Sequence, residues 1–307
     1  MKRAKITIIG AGNVGASAAQ WIAAKNLADV VLIDVVENLA KGKALDLMQS
    51  LPLLGSGVKV SFATDYKDSA DSEVVVITAG VPRKEGMSRD DLVKINEKIV
   101  RSVTEQAVKY SPECVIIVVS NPLDVIAYTA YKASGFPRER VIGMAGVLDS
   151  ARFKAFIADE INVSVRDVNA IVLGCHGDAM IPMERLANVS GIPVTELIPH
   201  ERIQLIINRT KNGGAEFLPL LNTSAWLAPG TSVAEMAESI VKDQKRIMPC
   251  SVYLDGEYGI TGIFMGVPVK LGRKGAEEII QIKLTAEERK QFDKAAEHVK
   301  SMIDIVR

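Results

Sequence analysis

Short, nearly continuous apolar runs alternate with longer amphipathic segments in the first half of the chain. The apolar runs are "KITIIG", "DVVLID", "EVVVITAG", "CVIIVVSN" and "VIGMAG", which are typical of parallel strands covered on both faces. Helical patterns lie between them, namely "NVGASAAQWIAAK", "LAKGKALDLMQS" and the long "RDDLVKINEKIVRSVTEQAVKYS". Strands that alternate with helices predict βαβ units and therefore a doubly wound parallel sheet.

The pattern changes after about residue 147. A helix, "LDSARFKAFIADEI", precedes one strand, "VNAIVLG", and "AMIPMERLANVSGIPV" has the proline and glycine breaks typical of antiparallel pieces. The helical region "AEFLPLLNTSAWLAPGTSVAEMAESIVKD" is predicted to break near Pro229 and Gly230, and hairpin-like strands follow from "PCSVYLDGEYG" into "GIFMGVPVKLG". The last helix is predicted to begin at Thr285, with Glu288 placed for a capping box.

Two closely packed domains account for this change, because no linker, repeat or low-complexity segment separates the halves. We predict an α/β protein in which an N-terminal doubly wound parallel sheet, residues 1–146, is followed by a mixed α+β substrate domain, residues 147–307. A chain of 307 residues is long enough to bury a sizeable core.

The composition excludes several classes of function. Lysine plus arginine equal aspartate plus glutamate at 37 each, so charge gives no reason to expect a nucleic acid or an acidic membrane as partner. The apolar runs are shorter than the ~20 residues of a membrane span, and "MKRAKITIIG" does not read as a signal peptide. Cys114, Cys175 and Cys250 form neither a disulfide framework nor a metal-ligand pattern. We expect a soluble, cytoplasmic protein.

A glycine-rich loop joins the first strand to the first helix. Gly10, Gly12 and Gly15 form GxGxxG, in which the first glycine permits a tight turn, the second lets a pyrophosphate approach, and the third lets helix and strand pack closely. Glycine turns also join strands to helices for structural reasons alone. The residues between the glycines belong to the same predicted dinucleotide site: Ala11, Asn13 and Val14.

The end of the second strand supports a cofactor site. Asp34 lies 19 residues after Gly15, where a carboxylate would accept hydrogen bonds from adenosine ribose hydroxyls. The same charge would repel a 2′-phosphate, so Asp34 favours NAD over NADP. A solvated strand end is the structural alternative.

His176 is the one histidine of three that is placed for chemistry, in "VLGCHGD" at the end of a strand. It is the best general acid/base near neutral pH, although a lone histidine is more often structural. Asp149 and Arg152 are three residues apart in "GVLDSARF", so an aspartate that orients His176 and an arginine that binds a carboxylate would share one helix face. The alternative is an ordinary intrahelical ion pair.

Two loops complete the candidate site. "GVPRKEGMSR" carries Arg83 and Arg89 after a buried strand, for which a solvated charged turn is the alternative. Asn121 lies in "VVSNPLD" at the end of another strand, where ligands of open α/β sheets bind. It could equally be a helix N-cap before Pro122, or serve as both.

Together these motifs resemble the lactate/malate dehydrogenase family over nearly the whole chain, most closely its lactate-dehydrogenase-like malate dehydrogenases. The matching segments are "GAGNVG", "LIDVVE", "GKALDL", "TAGVPRKEGMSRDDL", "VSNPLD", "VIGMAGVLDSARF", "GCHGD" and "GEYG". The resemblance implies a Rossmann fold, NAD as cofactor, a 2-hydroxy acid of the tricarboxylic acid cycle as substrate, and a homo-oligomer, with a tetramer favoured over a dimer.

The resemblance also implies roles for the residues. His176 would exchange the hydroxyl proton, Asp149 would orient it, Arg152 would bind the C1 carboxylate, and Arg89 would polarise the reacting oxygen from a closing loop. Asn121 would contact both substrate and nicotinamide. Further positions that would touch the dinucleotide are Thr78, Ala79, Gly80, Asn96 and Val119.

Arg83 is the position that would select the substrate. Lactate dehydrogenases of the family carry a neutral glutamine there, whereas an arginine suits the second carboxylate of malate or oxaloacetate. A buried guanidinium without an anion would be costly if pyruvate were bound instead. Lactate dehydrogenase, another 2-hydroxy acid dehydrogenase and a non-catalytic dinucleotide-binding protein remain as alternatives. Two positions depart from the pattern of relatives. Cys175, beside His176, is interpreted as a packing residue. The small pair Ser224 and Ala225 is interpreted as leaving room for a longer substrate.

Overall fold

A single large sheet runs through the computed structural model, which describes residues 3–82 and 86–306, without the side chains of Arg89 and Leu218. Its parallel part has the order β3-β2-β1-β4-β5-β6, which confirms the doubly wound prediction. The strands are β1 (Lys5–Ile9), β2 (Asp29–Ile33), β3 (Val60–Ala63), β4 (Val74–Ile77), β5 (Val115–Val118) and β6 (Val141–Gly143).

Helices cover both faces of these strands. They are α1 (Asn13–Ala24), α2 (Glu37–Leu54), α3 (Arg89–Tyr110) and α4 (Leu123–Ser134). Strand order reverses beside β1, which pairs with both β2 and β4, so the loops after β1 and β4 flank a crevice where ligands of this fold class bind. The edge strand β3 was not predicted, because its central residues Ser61 and Phe62 are exposed and the run is not continuously apolar.

The second half extends the same sheet with antiparallel strands. Its elements are α5 (Gly146–Ile161), β7 (Val168–Asn169), β8 (Val172–Gly174), β9 (Met180–Pro182), β10 (Asn188–Val189), β11 (Ile192–Pro193), α6 (Val194–Leu197), α7 (His200–Asn212), α8 (Leu218–Leu221), α9 (Leu227–Val241), β12 (Arg246–Asp255), β13 (Thr261–Gly272), β14 (Gly275–Ile279) and α10 (Ala286–Ile303). The predicted hairpin is the β12–β13 pair, and β12 also pairs with β6. The domain boundary at residue 146 stays a prediction, although α5 begins there.

Two predictions for this half are wrong. The single strand "VNAIVLG" is two strands, because β7 joins β10 in a small separate sheet while β8 joins β13 in the large one. The predicted helix break is misplaced, since the region is interrupted at residues 222–226 and α9 then runs unbroken from Leu227 through Pro229 and Gly230. A proline in the first turn of a helix is tolerated because its missing N–H would have no intrahelical partner.

Gly230 explains why α9 carries a glycine. A Cβ at this position would lie 2.4 Å from Ser17 Oγ and 2.8 Å from the backbone nitrogen of Ala18, so the glycine lets α9 pack directly on α1. The helix α10 begins after Thr285, whose side chain forms the predicted capping box with Glu288. No helix within the described ranges is long and apolar enough to cross a membrane.

Candidate active site

The glycine-rich loop after β1 is fixed by the neighbouring strand β4. Gly10 has φ +108°, and the Thr78 hydroxyl donates to its carbonyl oxygen at 2.9 Å. A Cβ at Gly10 would lie 2.5 Å from Thr78 Oγ1, and a Cβ at Gly15 would lie 1.9 Å from the Gly10 oxygen. The first and third glycines are therefore required by the turn and by close packing of α1, as predicted from their spacing.

Gly12 differs from the other two glycines. A Cβ there would meet no described atom within 4 Å, so packing within the protein does not require a glycine at this position. Gly12 is the N-cap of α1, with no side-chain cap and no acidic residue in the first turn. The helix N-terminus is thus open toward an anionic group, with Asn13 and Val14 in its first turn.

Asp34 connects β2 to the glycine-rich loop. One carboxylate oxygen accepts from the backbone N–H of Ala11 at 2.7 Å, and the other accepts from that of Val36 at 2.9 Å. The Asp34 side chain is therefore fixed against the glycine-rich loop, and the alternative of a solvated side chain at the end of the strand does not describe it. Each oxygen keeps a lone pair that a ribose hydroxyl could use.

Asn96 on α3 holds two of the predicted loops together. Its amide donates to the carbonyl oxygens of Asn121, at 2.7 Å, and Val81, at 3.2 Å, and accepts from the Val81 N–H at 2.8 Å. Both amide protons are thus used inside the protein, so Asn96 positions the loops that a dinucleotide would touch. A Cβ at Gly80 would lie 3.1 Å from Asn96 Oδ1.

The adjoining strand ends are fixed in a similar way. The Ser120 hydroxyl donates to the Ala79 carbonyl oxygen at 2.6 Å, and the N–H of the buried Val119 donates to Ile77. The predicted cofactor positions that follow β4 and β5 therefore lie side by side at the C-terminal ends of these two parallel strands.

His176 follows β8 and meets Asp149 of α5. Its Nδ1 is 2.9 Å from one Asp149 oxygen, and Arg152 Nη1 is 3.3 Å from the other. The Asp149 side chain is 2% exposed, while the side chains of His176 and Arg152 are 20% and 13% exposed. The structure thus brings together the three predicted residues, and Asp149 serves both the histidine and the arginine.

The charges around His176 favour its protonated form. Burial acts to lower its pKa, but the negative charge of Asp149, the hydrogen bond to it and the charge of Asp124 together outweigh burial. The pKa of His176 is therefore raised above its usual value. Because Nδ1 faces Asp149, Nε2 is the atom left to exchange a proton with a substrate.

Asn121 follows β5 and is exposed. Its peptide bond to Pro122 is cis, and the N-cap of α4 is Pro122 without a side-chain cap bond. The N-cap alternative for Asn121 is therefore wrong. Its side chain makes no hydrogen bond to the described part of the chain, which leaves the amide available to a ligand.

The two arginines of the "GVPRKEGMSR" loop cannot be placed in the same way. Arg83 lies outside the described residues, and so does the side chain of Arg89, whose backbone begins α3. The start of α3 is well defined, because Ser88 and Asp91 form a reciprocal capping box.

Asp124 is a buried carboxylate that the sequence analysis missed. One of its oxygens accepts from the backbone N–H of His176 at 3.0 Å, and the other accepts from the Ser251 hydroxyl at 2.6 Å. Asp124 is 5% exposed and Ser251 is fully buried. The only available signal was the "NPLD" segment, in which an acidic residue in the first turn of a helix looks ordinary.

A cavity of about 510 Å³ adjoins His176 on the side of α7 and α10, and Lys211, Lys294 and His298 line it. The neighbouring Cys175 is buried, and burial raises the pKa of its thiol to about 12. This supports its interpretation as a packing residue. Among the described residues no group of three or more His, Cys, Asp or Glu is arranged to hold a metal ion.

Comparison with known proteins agrees with this arrangement. Residues 4–143 match the NAD binding domain of lactate/malate dehydrogenase, and residues 146–307 match the alpha/beta C-terminal domain. The malate dehydrogenase of Thermomicrobium roseum is 54% identical over 305 residues, which are 99% of each chain.

Solved structures are equally similar. The malate dehydrogenase of Salinibacter ruber superposes with a TM-score of 0.95 at 51% identity, over 98% of this chain and 97% of that one. The lactate dehydrogenase of Cryptosporidium parvum, in complex with lactic acid and the dinucleotide, has a TM-score of 0.96 at 39% identity, over 100% and 98% of the two chains. The chain belongs to the lactate/malate dehydrogenase family.

Proposed function

We propose that the protein is an NAD-dependent malate dehydrogenase, which interconverts malate and oxaloacetate. The observation that carries this proposal is the Asp149–His176 hydrogen bond in a chain that is 54% identical, from end to end, to a malate dehydrogenase. The acid/base pair supplies the chemistry, and the identity favours malate over other 2-hydroxy acids.

The crevice beside β1 fits a dinucleotide. The open N-terminus of α1 at Gly12 suits the pyrophosphate, and Asp34 suits the ribose hydroxyls while opposing a 2′-phosphate. Thr78, Ala79, Gly80, Asn96 and Val119 would line or support the rest of this site. Bound NAD would supply the hydride acceptor.

His176 would take the hydroxyl proton of malate on Nε2 and return it to oxaloacetate in the reverse direction. Asp149 holds Nδ1 and stabilises the imidazolium that forms. A histidine whose pKa is raised by a neighbouring carboxylate stays available as a proton donor as well as an acceptor, which suits an acid/base that must act in both directions.

The substrate would be held by its carboxylates. Arg152 is largely buried and makes one hydrogen bond to the described part of the chain, to Asp149 at 3.3 Å, so most of its N–H groups are left for the C1 carboxylate. Asn121 would donate to the same substrate. Arg89 would polarise the reacting oxygen, and Arg83 would bind the distal carboxylate that distinguishes oxaloacetate from pyruvate.

The test is a substrate comparison by NADH oxidation. We expect rapid turnover of oxaloacetate and slow turnover of pyruvate and of a branched 2-oxo acid. We expect Arg83→Gln to shift the preference toward pyruvate by up to about 10⁴-fold, because a site built around a polar partner rejects the analogue that lacks it. Lys84→Gln, which removes the neighbouring charge, is the control. If the unmutated protein reduces pyruvate as well as it reduces oxaloacetate, the result would instead favour a lactate dehydrogenase.

We also propose that the protein is a cytoplasmic homo-oligomer, with a tetramer favoured over a dimer. Support comes from apolar side chains that stay exposed on neighbouring helices: Trp21 on α1, Leu45 and Met48 on α2, and Leu227 at the start of α9. These three elements also line a common cavity of about 310 Å³. Exposed apolar surface of this kind indicates contact with another protein surface, here a second copy of the chain.

A further inference from the structure

Asp124 contacts the backbone of His176, whereas Asp149 contacts its imidazole ring. Its two oxygens accept hydrogen bonds from elements that are distant in sequence, the His176 N–H after β8 and the Ser251 hydroxyl of β12. The carboxylate thus ties three elements together, since Asp124 itself belongs to the first turn of α4, three residues after Asn121.

A hydrogen-bonded tie of this kind does not require a negative charge. An asparagine could accept the His176 N–H through its oxygen and donate to the Ser251 oxygen through its amide, with nearly the same shape. A buried carboxylate is costly when no cation contacts it, and no lysine or arginine within the described residues forms an ion pair with Asp124. The charge therefore needs a reason other than local structure.

His176 provides that reason. Its imidazole can change charge near neutral pH, and the residue contacts both carboxylates, Asp149 through Nδ1 and Asp124 through its backbone N–H. We propose that Asp124 is a positioning residue, which fixes the backbone of His176 and whose negative charge, added to that of Asp149, holds the imidazole in its proton-donating form. This deepens the proposed function and rests on it.

Other charged groups near His176 do not replace Asp124. Arg152 opposes protonation, and Cys175 is a neutral thiol. The adjoining cavity is lined by Lys211 of α7 and Lys294 of α10, whose positive charges also oppose it, together with Asp178 and His298. Two buried carboxylates are thus set against the positive charges of Arg152, Lys211 and Lys294.

The test replaces the charge and keeps the shape. In Asp124→Asn we expect the pKa of His176, followed by NMR, to fall by on the order of one unit, because one of two neighbouring negative charges is removed. The chain has only three histidines, and His200→Gln and His298→Gln identify the other two resonances. This titration needs no turnover. The Asp124 proposal can therefore fail while the proposed function stands, and the proposed function can fail while the Asp124 proposal stands.

Kinetics give the second readout. The alkaline limb of kcat/KM for oxaloacetate reduction should move down by the same amount in Asp124→Asn, while NADH binding, followed by fluorescence, should be unchanged. A folded Asp124→Asn protein with an unaltered His176 titration would overturn the proposal. If that variant does not fold, Ser251→Ala decides, because loss of its hydroxyl makes Asp124 easier to protonate. A smaller shift in the same direction would support the proposal, and no shift would refute it.

Discussion

At the scale of single residues, His176 and its partners make the sharpest predictions. His176→Asn should lower kcat for oxaloacetate reduction by about 10²- to 10⁴-fold, the usual contribution of a general acid. NADH binding should be retained, because no predicted cofactor contact involves this side chain. Stopped-flow fluorescence can measure binding separately from turnover, and weak NADH binding by the variant would mean that the histidine is structural.

The raised pKa of His176 fixes the direction of the pH dependence. The protonated imidazole must donate in oxaloacetate reduction, so kcat/KM should be high below the folded pKa and fall as pH rises through it. Malate oxidation should show the opposite dependence. By linkage, the stability that His176 contributes is complete below its unfolded pKa and is lost as pH rises through the folded pKa. Parallel pH profiles in the two directions would contradict this.

Asp124 should show a linkage of the same sign at lower pH, because burial raises its pKa to about 6. An acid that is harder to ionise when folded destabilises the protein once it is charged, so stability should fall as pH rises toward 6. We expect Asp124→Asn to increase the free energy of unfolding above pH 6 by on the order of 3 kcal/mol, with little effect near pH 4. Urea unfolding at pH 5 and pH 8 measures this, and equal effects at both would contradict it.

At this scale the sequence predicted the residues that carry the chemistry better than the residues that position them. His176, Asp149 and Arg152 could be chosen because their types and spacing match a reaction. Asp124 could not, because an acid in the first turn of a helix usually interacts with the helix dipole, and only tertiary packing turns it inward. The roles of Asn96 and Asp34 in holding loops were equally hidden, since their partners are backbone groups.

At the scale of elements, the turn between β1 and α1 separates two requirements for glycine. Gly12→Ala should leave the fold intact, because its φ of −63° suits alanine and a Cβ there meets no described atom within 4 Å. NADH binding should weaken by about tenfold or more, equal to about 1.4 kcal/mol, since the methyl group would occupy the space for the pyrophosphate. Calorimetric titration and thermal unfolding distinguish the two effects.

Gly15→Ala is the matched comparison. Its Cβ would lie 1.9 Å from a backbone oxygen, so the variant should lose more than about 3 kcal/mol of stability. If both alanine variants unfold alike, the open space at Gly12 has no connection with a ligand.

Errors in the predicted elements have local causes. Continuous apolar runs revealed the buried strands, whereas β3 was missed because it is a half-exposed edge. Pro229 and Gly230 indicated a helix break, but Pro229 lies in the first turn of α9 and Gly230 lies where α9 packs against α1. In both places tertiary position decided what local propensity could not.

At the scale of the whole molecule, the exposed apolar surface on α1, α2 and α9 predicts self-association. Leu45→Glu combined with Met48→Glu should reduce the oligomeric mass, because burying two carboxylates at the contact is unfavourable. Light scattering measures the mass, and Leu205→Glu, at an exposed leucine of α7, is the control. An unchanged mass in the double variant would place the contact elsewhere.

The contact of α9 with α1 has a consequence for how substrate reaches His176. Gly230 fits against the backbone of the helix that begins at the glycine-rich loop, and the large sheet continues from β6 into β12. A hinge motion that moved one half of the chain away from the other would break both the α9–α1 packing and the β6–β12 pairing. Entry and exit of small molecules should therefore depend on rearrangements much smaller than a whole lobe, and covalently joining α1 to α9 should leave turnover intact.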